Sequence, residues 1–388
     1  MKDISLEESL LEELSEHGFS GIARCMEILV NHAMKVERNK VLGAAPYERT
    51  EERQGYANGY KPKTLQTRSG KIFLDIPQVR GLEFYPSSVE KGIRSEKALK
   101  CTLAQMYISG VSTRKVQEIT EILCGFDVSS SQVSRVTKEL DEEFLKFRQR
   151  ELSDCYKYVY LDAKYVKVRE DHQVNSQALL LAIGVNSDGY REVLGITVKN
   201  SEAGQNWKEF LTELKEKRKL EQVGMFISDD HSGMKQARSE VYPNIPWQRC
   251  QFHFAQNAQA KANSKAQKSE IGEDVRSIFR QADRQAAENK AKEIVQKWQK
   301  RNNSFATWIE TNIYECFTVY NEPQDFHLKI RTSNCIERTI REVQRRIGVI
   351  GIFPNPDSLL RLATGVIIEI HEGWINAKQP YMNFNNHS

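Results

Sequence analysis

The chain has 388 residues, of which 39% are hydrophobic and 28% charged, a globular composition with room for two to four structural units. No apolar run approaches the ~20 residues of a membrane-spanning helix, and the acidic amino terminus does not resemble a signal peptide. The net charge of +4 is too small to indicate nucleic-acid binding by itself, and the seven scattered cysteines argue against a disulfide framework. We therefore expect a cytosolic protein without a membrane partner.

The first two regions differ in composition. Residues 1–45 are predicted to be helical from apolar side chains at helix-like spacing. Residues 46–94 contain a polar stretch rich in Arg, Lys and Tyr, with a turn signal at Asn58-Gly59, and then the short strand KIFLDIPQV, closed by Pro77. Such a loop-and-strand unit suits DNA binding, although a solvated linker is an equal alternative. The candidate DNA contacts here are Lys61, Lys63 and Arg68.

Residues 95–154 are predicted to form short helices separated by brief turns. Ser112 and Ser129 stand where they can cap the second and third helices, and glycines end the first two. This pattern favours a helix-turn-helix with Gln132 and Arg135 on its DNA-facing side, although many small helical bundles share it.

From residue 155 the pattern changes from helical to strand-like. A long β-branched and aromatic strand precedes a hairpin that turns at 186–189, and a helix, the strand GMFIS and another helix follow. This order predicts an α/β layer with a mixed sheet over 155–253. Residues 254–325 are charged and helical, which indicates an insertion. Two final helices are predicted within 326–388, separated by GIFPNP.

Two aspartates stand out because apolar strands position them. Asp162 interrupts a strand that is otherwise largely apolar, so it needs either a metal or a cation, and Lys164 on the same face is the structural alternative. Asp229 follows the strand GMFIS at its carboxyl end, the edge where α/β sheets bind ligands. Asp230 is an equal competitor from the residues alone, and could instead cap the next helix.

A third acid, Glu337, flanks the apolar face of a late helix. The face consists of Ile336, Ile340, Val343, Ile347 and Ile350. Arg341 lies on the same flank as Glu337, while Arg338 and Arg345 point outward. A carboxylate among arginines at such a border is ordinarily a surface ion pair. Two Asp and one Glu from separate elements are, however, the oxygen ligands that a pair of Mg²⁺ ions requires.

Six segments together resemble the Mutator-type transposases of bacterial insertion sequences. They are NGYKPKTLQTRSGKIFLDIPQVR, ISGVSTRKVQEI, LDAKYVKVR, SDDHSGM, WQRCQFHFAQN and RTSNCIERTIREVQRRIGVIGIFPN. The resemblance covers about residues 47–374. It implies an α/β fold: an RNase H-like mixed-sheet catalytic domain (155–253 and 326–388) with an all-helical insertion (254–325), preceded by mainly helical DNA-binding domains that include the helix-turn-helix. It also implies a bacterial, nucleoid-associated protein.

The resemblance assigns the catalytic and metal-binding triad to Asp162, Asp229 and Glu337. They would hold two Mg²⁺ ions, with Mn²⁺ as a possible substitute, for cleavage and strand transfer on double-stranded DNA by at least a dimer. Asp230 stands where the family usually has a small residue, and Thr332-Ser333-Asn334 where two threonines and an asparagine are common. The alternatives are a domesticated DNA-binding protein without catalysis, and an RNase H-like nuclease without strand transfer.

Residues around the triad have open roles. Cys250 and His253 form the CxxH of these transposases, for which a structural role or a DNA contact is favoured over zinc, because two ligands cannot close a tetrahedral site. Trp247 and Arg249 are candidates to contact a displaced strand, with core packing of Trp247 equally open. The arginines expected to meet phosphates near the active helix are Arg338, Arg341, Arg345 and Arg346.

Overall fold

The computed structural model describes residues 5–45, 48, 50–51, 53–89, 91, 95–153, 155–170 and 172–384. The chain forms two compact units, residues 1–140 and 141–388. The predicted domain limits at 46, 94 and 154 lie outside the described residues. All seven cysteines are free. No helix in the described part of the chain is long and apolar enough to cross a membrane.

The first unit begins with helices α1 (Leu6–His17) and α2 (Ile22–Leu42), joined by a 3₁₀ turn. Helix α2 packs on an antiparallel hairpin of β1 (Tyr56–Thr67) and β2 (Gly70–Arg80). Apolar side chains alternate along β2, so one of its faces is buried against the helix. The residues of this small core include Met34, Ile72, Leu74 and Ile76.

The hairpin corrects two predictions made from the polar stretch before β2. Asn58 and Gly59 do not form the turn: they lie within β1, where Gly59 has φ +76° beside a bulge between Ala57 and Tyr60. Pro77 does not close the second strand but pairs with Tyr60 inside it. The polar residues of β1 form a strand because β2 supplies its hydrogen-bonding partners, while their side chains remain largely exposed.

Three further helices complete the first unit: α3 (Lys97–Ile108), α4 (Thr113–Cys124) and α5 (Ser130–Lys138). The hydroxyls of Ser112 and Ser129 accept hydrogen bonds from backbone N–H groups in the first turns of α4 and α5, as their positions predicted. The three helices enclose a common core that includes Leu103, Val116, Val128 and Val133.

The second unit is built on a mixed sheet, as predicted, with five strands. Its strands are β3 (Cys155–Glu170), β4 (Gln173–Asn186), β5 (Arg191–Lys199), β6 (Gln222–Ser228) and β7 (Trp247–Arg249). They lie in the order β5-β4-β3-β6-β7. Strands β3, β4 and β5 pair antiparallel, whereas β6 and β7 run parallel to β3. The short strand β7 has no clear period in the sequence and was not predicted.

Helices cover the sheet on both faces. Helices α7 (Gly204–Thr212), continued by a π-helical turn, and α8 (Ser232–Val241) pack on the face that carries Leu161 and Leu180. Helices α14 (Asn334–Ile347) and α15 (Pro356–Ile375) pack on β3, β4 and β5. Because side chains alternate along a strand, Asp162 belongs to the face opposite Leu161. Helix α6 (Asp141–Gln149) contacts α15, and Asp141 accepts a hydrogen bond from Arg361 at 2.6 Å.

The stretch 254–325 is helical, as its composition predicted. Its helices are α9 (Gln251–Gln259), α10 (Lys265–Phe279), α11 (Arg284–Gln299) and α12 (Asn303–Asn312), followed by two 3₁₀ turns and α13 (Gln324–Ile330). They have their own core around Phe254, Trp298, Phe305 and Phe317. Helix α9 begins directly after β7, so the helical region starts at the edge where the parallel strands end.

Candidate acidic site

The sheet register brings Asp162 and Asp229 together. Tyr160 of β3 is the parallel partner of Ile227 in β6, and each aspartate stands two residues further along its strand direction. Asp229 follows the last residue of β6, and Cys250 likewise follows β7, whose Arg249 pairs with Ser228. Three adjacent parallel strands therefore deliver these three side chains to one edge of the sheet, the edge where ligands bind in α/β folds.

Asp162 lies in an unfavourable environment for a carboxylate. Burial, together with repulsion from Asp229 and Glu337, raises its pKa to about 7, and the backbone N–H of Ala163 donates to its Oδ1 over 2.7 Å. Lys164 is exposed, and no ion pair joins it to Asp162 in the described residues. The structural alternative, an ion pair between Asp162 and Lys164, is therefore absent from the described residues. A bound cation would compensate the accumulated negative charge.

Asp230 differs from Asp229 because two cationic side chains already balance its negative charge. Its carboxylate lies 3.0 Å from Lys235 and 3.0 Å from Arg249, and both cations also contact Glu315, at 2.7 and 2.9 Å. The Arg249 side chain is 1% exposed. Its guanidinium therefore forms buried ion pairs, a different role from the strand contact expected from the sequence. Trp247 is half-buried, and its Nε1 donates to Ser228 Oγ over 2.8 Å.

Glu337 reaches the same site from the first turn of α14. The hydroxyl of Ser333 donates to its Oε1 over 2.6 Å, and Nε2 of His253 lies 3.9 Å from that oxygen. The Asp162 pKa responds to both Asp229 and Glu337, so the three predicted acids lie within electrostatic range of one another. The amphipathic face of α14 makes this possible, because Ile336 and Ile340 are buried and hold Glu337 at the border of the sheet.

Cys250 and His253 lie close to Glu337. One ligand atom each from Cys250, His253 and Glu337 lies within 4.8 Å of the others. Contact with the Cys250 thiol, and the nearby Asp229 and Glu337 carboxylates, raise the pKa of His253 to about 9. Although burial raises the pKa of Cys250, its contacts with His253 and Ser333 hold it below its ordinary value. The pair is thus part of the acidic site.

One acid near the site was missed from the sequence. Glu202 is largely buried, its carboxylate lies 3.5 Å from Nε2 of His231, and burial together with Asp229 raises its pKa. It stands in the loop between β5 and α7. Nothing in its local pattern marks it, because only the packing of that loop brings it to the end of β6.

The arginines of α14 fall into two groups. Arg345 and Arg346 both pair with Glu342, and Arg346 also pairs with Glu369. Arg338 and Arg341 are exposed and make no ion pair within the part of the chain that the structure describes. Only the second group presents uncompensated charge beside Glu337.

The candidate DNA contacts of the first unit lie on its surface. Lys61 is exposed on β1, Lys63 Nζ donates to the Tyr85 hydroxyl over 3.1 Å, and Arg68 lies 3.5 Å from Glu96. On α5, Arg135 is exposed, whereas Gln132 donates to Gln66 over 2.6 Å.

A cavity of about 670 Å³ between α2 and β1 adds residues that were not singled out from the sequence. Arg38 lies 5.6 Å from the Tyr60 ring centre, and Arg53 lies 5.2 Å from that of Tyr56. These tyrosines belong to the polar stretch that stood out in the sequence, but Arg38 did not stand out, because it lies on α2, 22 residues before Tyr60 in the chain.

Comparison with known proteins identifies the family. The family model "Transposase, Mutator family" matches residues 6–377, so the chain belongs to the Mutator family of transposases. It is 44% identical to the transposase for insertion sequence element IS406 of Burkholderia multivorans, over 97% of both chains. It is 39% identical to that for ISRM5 of Rhizobium meliloti (94% of this chain, 90% of the relative).

A third relative, the transposase for IS256 in transposon Tn4001 of Staphylococcus aureus, is 36% identical over 91% of both chains. The chain also matches one in the crystal structure of the Mos1 strand transfer complex, at 11% identity and a TM-score of 0.17, over 42% of this chain and 60% of that one. The family assignment rests on the sequence relatives alone.

Proposed function

We propose that this protein is a DNA transposase that cleaves the ends of an insertion sequence and joins them to new DNA, with Asp162, Asp229 and Glu337 as its catalytic acids. The observation that carries the proposal is the meeting of these three carboxylates at one edge of the mixed sheet. The mixed sheet with helices on both faces supports the RNase H-like domain with a helical insertion that the family resemblance implies.

Asp229 rather than Asp230 is the second acid of this proposal. The carboxylate of Asp230 has two cationic partners at 3.0 Å and serves to compensate the buried Arg249. Asp229 has no ion pair within the described residues and repels Asp162. A free carboxylate beside another carboxylate suits a divalent cation, whereas a paired one does not.

The donor set fits magnesium. Carboxylate oxygens are the hard ligands that Mg²⁺ prefers, with Mn²⁺ as a substitute. The pKa of Asp162 is raised by burial and by the neighbouring carboxylates, whose negative charge a cation would balance. When bound, two such ions stabilise the attacking and leaving oxygens of a phosphoryl displacement. The chain's own part is to hold Asp162 and Asp229 on rigid strands, to orient Glu337 through Ser333, and to present Arg338 and Arg341 to the DNA backbone.

DNA recognition falls to the first unit in this proposal. Helices α4 and α5 are joined by a short turn as in a helix-turn-helix, and Arg135 is exposed on α5. The basic hairpin and the tyrosine-lined cavity beside α2 would contact phosphates and bases. Pairing of two element ends requires at least a dimer, and the family resemblance favours a copied-out circular intermediate.

The test uses DNA that carries the terminal repeats of the element encoding this protein. With Mg²⁺, we expect cleaved ends and strand-transfer products from the unchanged protein, and none from Asp162→Ala, which should still bind DNA. Asp188→Ala, an exposed acid in the β4–β5 turn, is the matched control and should remain active. Binding without cleavage would favour a domesticated DNA-binding protein, and cleavage without joining would favour a nuclease.

A further inference from the structure

A groove opens beside the acidic site between α9, the end of α10 and the segment before α14. Its main cavity has a volume of about 530 Å³. A second recess of about 360 Å³ shares Gln251, Phe279, Arg280 and Arg331 with it and extends toward α13. Both volumes lie within the range of about 300–1,000 Å³ of cavities that enclose a ligand group.

The groove is fixed to the acidic site by the backbone. The N–H of Gln251, next to Cys250, donates to the carbonyl of Arg331 over 2.9 Å. On one wall, Phe252 is followed in the chain by His253, and the centres of the two rings are 5.5 Å apart. On the other wall, Thr332 is followed by Ser333, whose hydroxyl donates a hydrogen bond to Glu337. A ligand in the groove therefore lies alongside the reacting position.

The lining combines arginines, an exposed aromatic ring and side-chain amides. None of the described residues that line either recess is acidic. Arg276 and Arg280 contact Glu273 outside the lining, at 2.7 and 3.2 Å, whereas Arg331 is half-buried and makes no ion pair with any described residue. The Phe252 side chain is 47% exposed at the rim. The amides are those of Gln251, Gln256, Gln259, Gln281 and Gln324.

We propose that this groove binds unpaired nucleotides of the DNA strand next to the reacting phosphodiester, with a base stacked on Phe252 and a phosphate paired with Arg331. Aromatic rings, guanidinium groups and amides recognise the faces, phosphates and edges of bases, respectively. Bases within an intact duplex are already stacked and cannot enter such a recess, so the chemistry favours single-stranded DNA. This inference rests on the proposed function and names the form of DNA that the second unit binds.

The test compares binding of the full chain to two labelled DNAs of mixed sequence by fluorescence anisotropy. One is a blunt duplex, and the other carries a single-stranded overhang of about six nucleotides, with 2-aminopurine in the overhang. We expect tighter binding of the overhang DNA and quenching of the 2-aminopurine on stacking. Phe252→Leu and Arg331→Gln should each weaken overhang binding about tenfold while leaving blunt-duplex binding unchanged.

Two variants serve as matched controls. Phe252→Trp keeps an aromatic ring and should retain both the preference and the quenching. Arg284→Gln removes an exposed arginine of α11 that lies outside the lining, and should bind both DNAs like the parent.

Three results would overturn the inference: equal binding of both DNAs by the parent, no effect of Phe252→Leu, or displacement of the overhang by an acidic peptide as effectively as by oligothymidine. In each case blunt-duplex binding and cleavage of element ends would leave the proposed transposase function standing. Loss of those activities in the parent would instead reject both proposals.

Discussion

The backbone N–H of Ser333 donates to the Cys250 sulfur over 3.3 Å, and the Ser333 hydroxyl lies 3.2 Å from the same sulfur. The hydroxyl has a single proton, and its 2.6 Å contact with Glu337 directs that proton to the carboxylate. The backbone hydrogen bond connects Cys250, the residue after β7, to Ser333 at the start of α14. Because Glu337 stands one turn further along α14, this junction sets where its carboxylate points.

Ser333→Ala should lower Mg²⁺-dependent cleavage about 10- to 100-fold, because hydrogen-bonding partners behind a metal ligand commonly contribute that much. Cleavage assays and DNA-binding titrations on the same preparation would show the loss of rate without a loss of DNA affinity. Ser333→Thr, which keeps the hydroxyl, should recover most of the activity. Ser239→Ala, on the exposed side of α8, is the control. Full activity in Ser333→Ala would contradict the orienting role.

We expect substitutions of Asp229 and Asp230 to have different effects on cleavage and stability. Asp229→Asn is expected to abolish cleavage with little change in thermal stability. Asp230→Asn should lower the free energy of unfolding by about 1–3 kcal/mol, because the buried Arg249 loses one of its two carboxylate partners. Thermal melts alongside cleavage assays would measure both. The reverse pattern would assign the metal to Asp230.

Asp162→Asn should make the metal-free protein more stable while eliminating its activity. The substitution removes a buried charge that Asp229 and Glu337 repel, so a gain of about 0.5–2 kcal/mol is expected in EDTA at pH 8. Mg²⁺ should raise the melting temperature of the parent but not of the variant. A melting temperature for Asp162→Asn below that of the parent in EDTA would mean that the carboxylate is structural.

The arginines of α14 should differ in their contribution to DNA binding. Arg341→Ala is expected to weaken DNA binding and to reduce the slope of log K against log salt by about 1, because it removes one uncompensated cation. Arg346 is paired with Glu342 and Glu369, so Arg346→Ala should leave that slope unchanged and cost at most about 1 kcal/mol of stability. Equal salt slopes for both variants would show that the ion pairs open on binding.

Buried His371 should make the protein less stable in mild acid. Its Nδ1 accepts from the Val193 N–H over 3.3 Å, and burial, with Arg150 and Arg218 nearby, lowers its pKa to about 4. The unfolded chain therefore binds the proton more readily. The associated stability is complete above the ordinary pKa of about 6.5 and falls by about 2–3 kcal/mol as the pH drops toward 4.

The measurement is the difference in melting temperature between the parent and His371→Asn from pH 7.5 to 4.5, since other groups also titrate in this range. Asparagine retains an acceptor for the Val193 N–H but does not titrate. The parent should lose stability relative to the variant as the pH falls. A constant difference would show that folding does not lower the pKa of His371.

The sequence by itself determined the local elements of the second unit. Alternating and continuous apolar runs specify strands β3 to β6, and the apolar stripe of α14 specifies which side of that helix is buried, because both patterns depend only on near neighbours in the chain. The family motifs supplied the prediction that Asp162, Asp229 and Glu337 are the catalytic acids. Local pattern was misleading at Asn58-Gly59, where pairing with β2 outweighed a turn signal.

Only the tertiary structure decided which charges are free. Asp229 and Asp230 are equivalent in their local sequence pattern, and the structure distinguishes them because Lys235 and Arg249 form ion pairs with Asp230. Arg249 is buried, and Phe252 and Arg331 line a groove, through contacts with residues up to about eighty positions away in the chain. Ion pairs and cavities depend on the three-dimensional packing of distant segments, which no local period encodes.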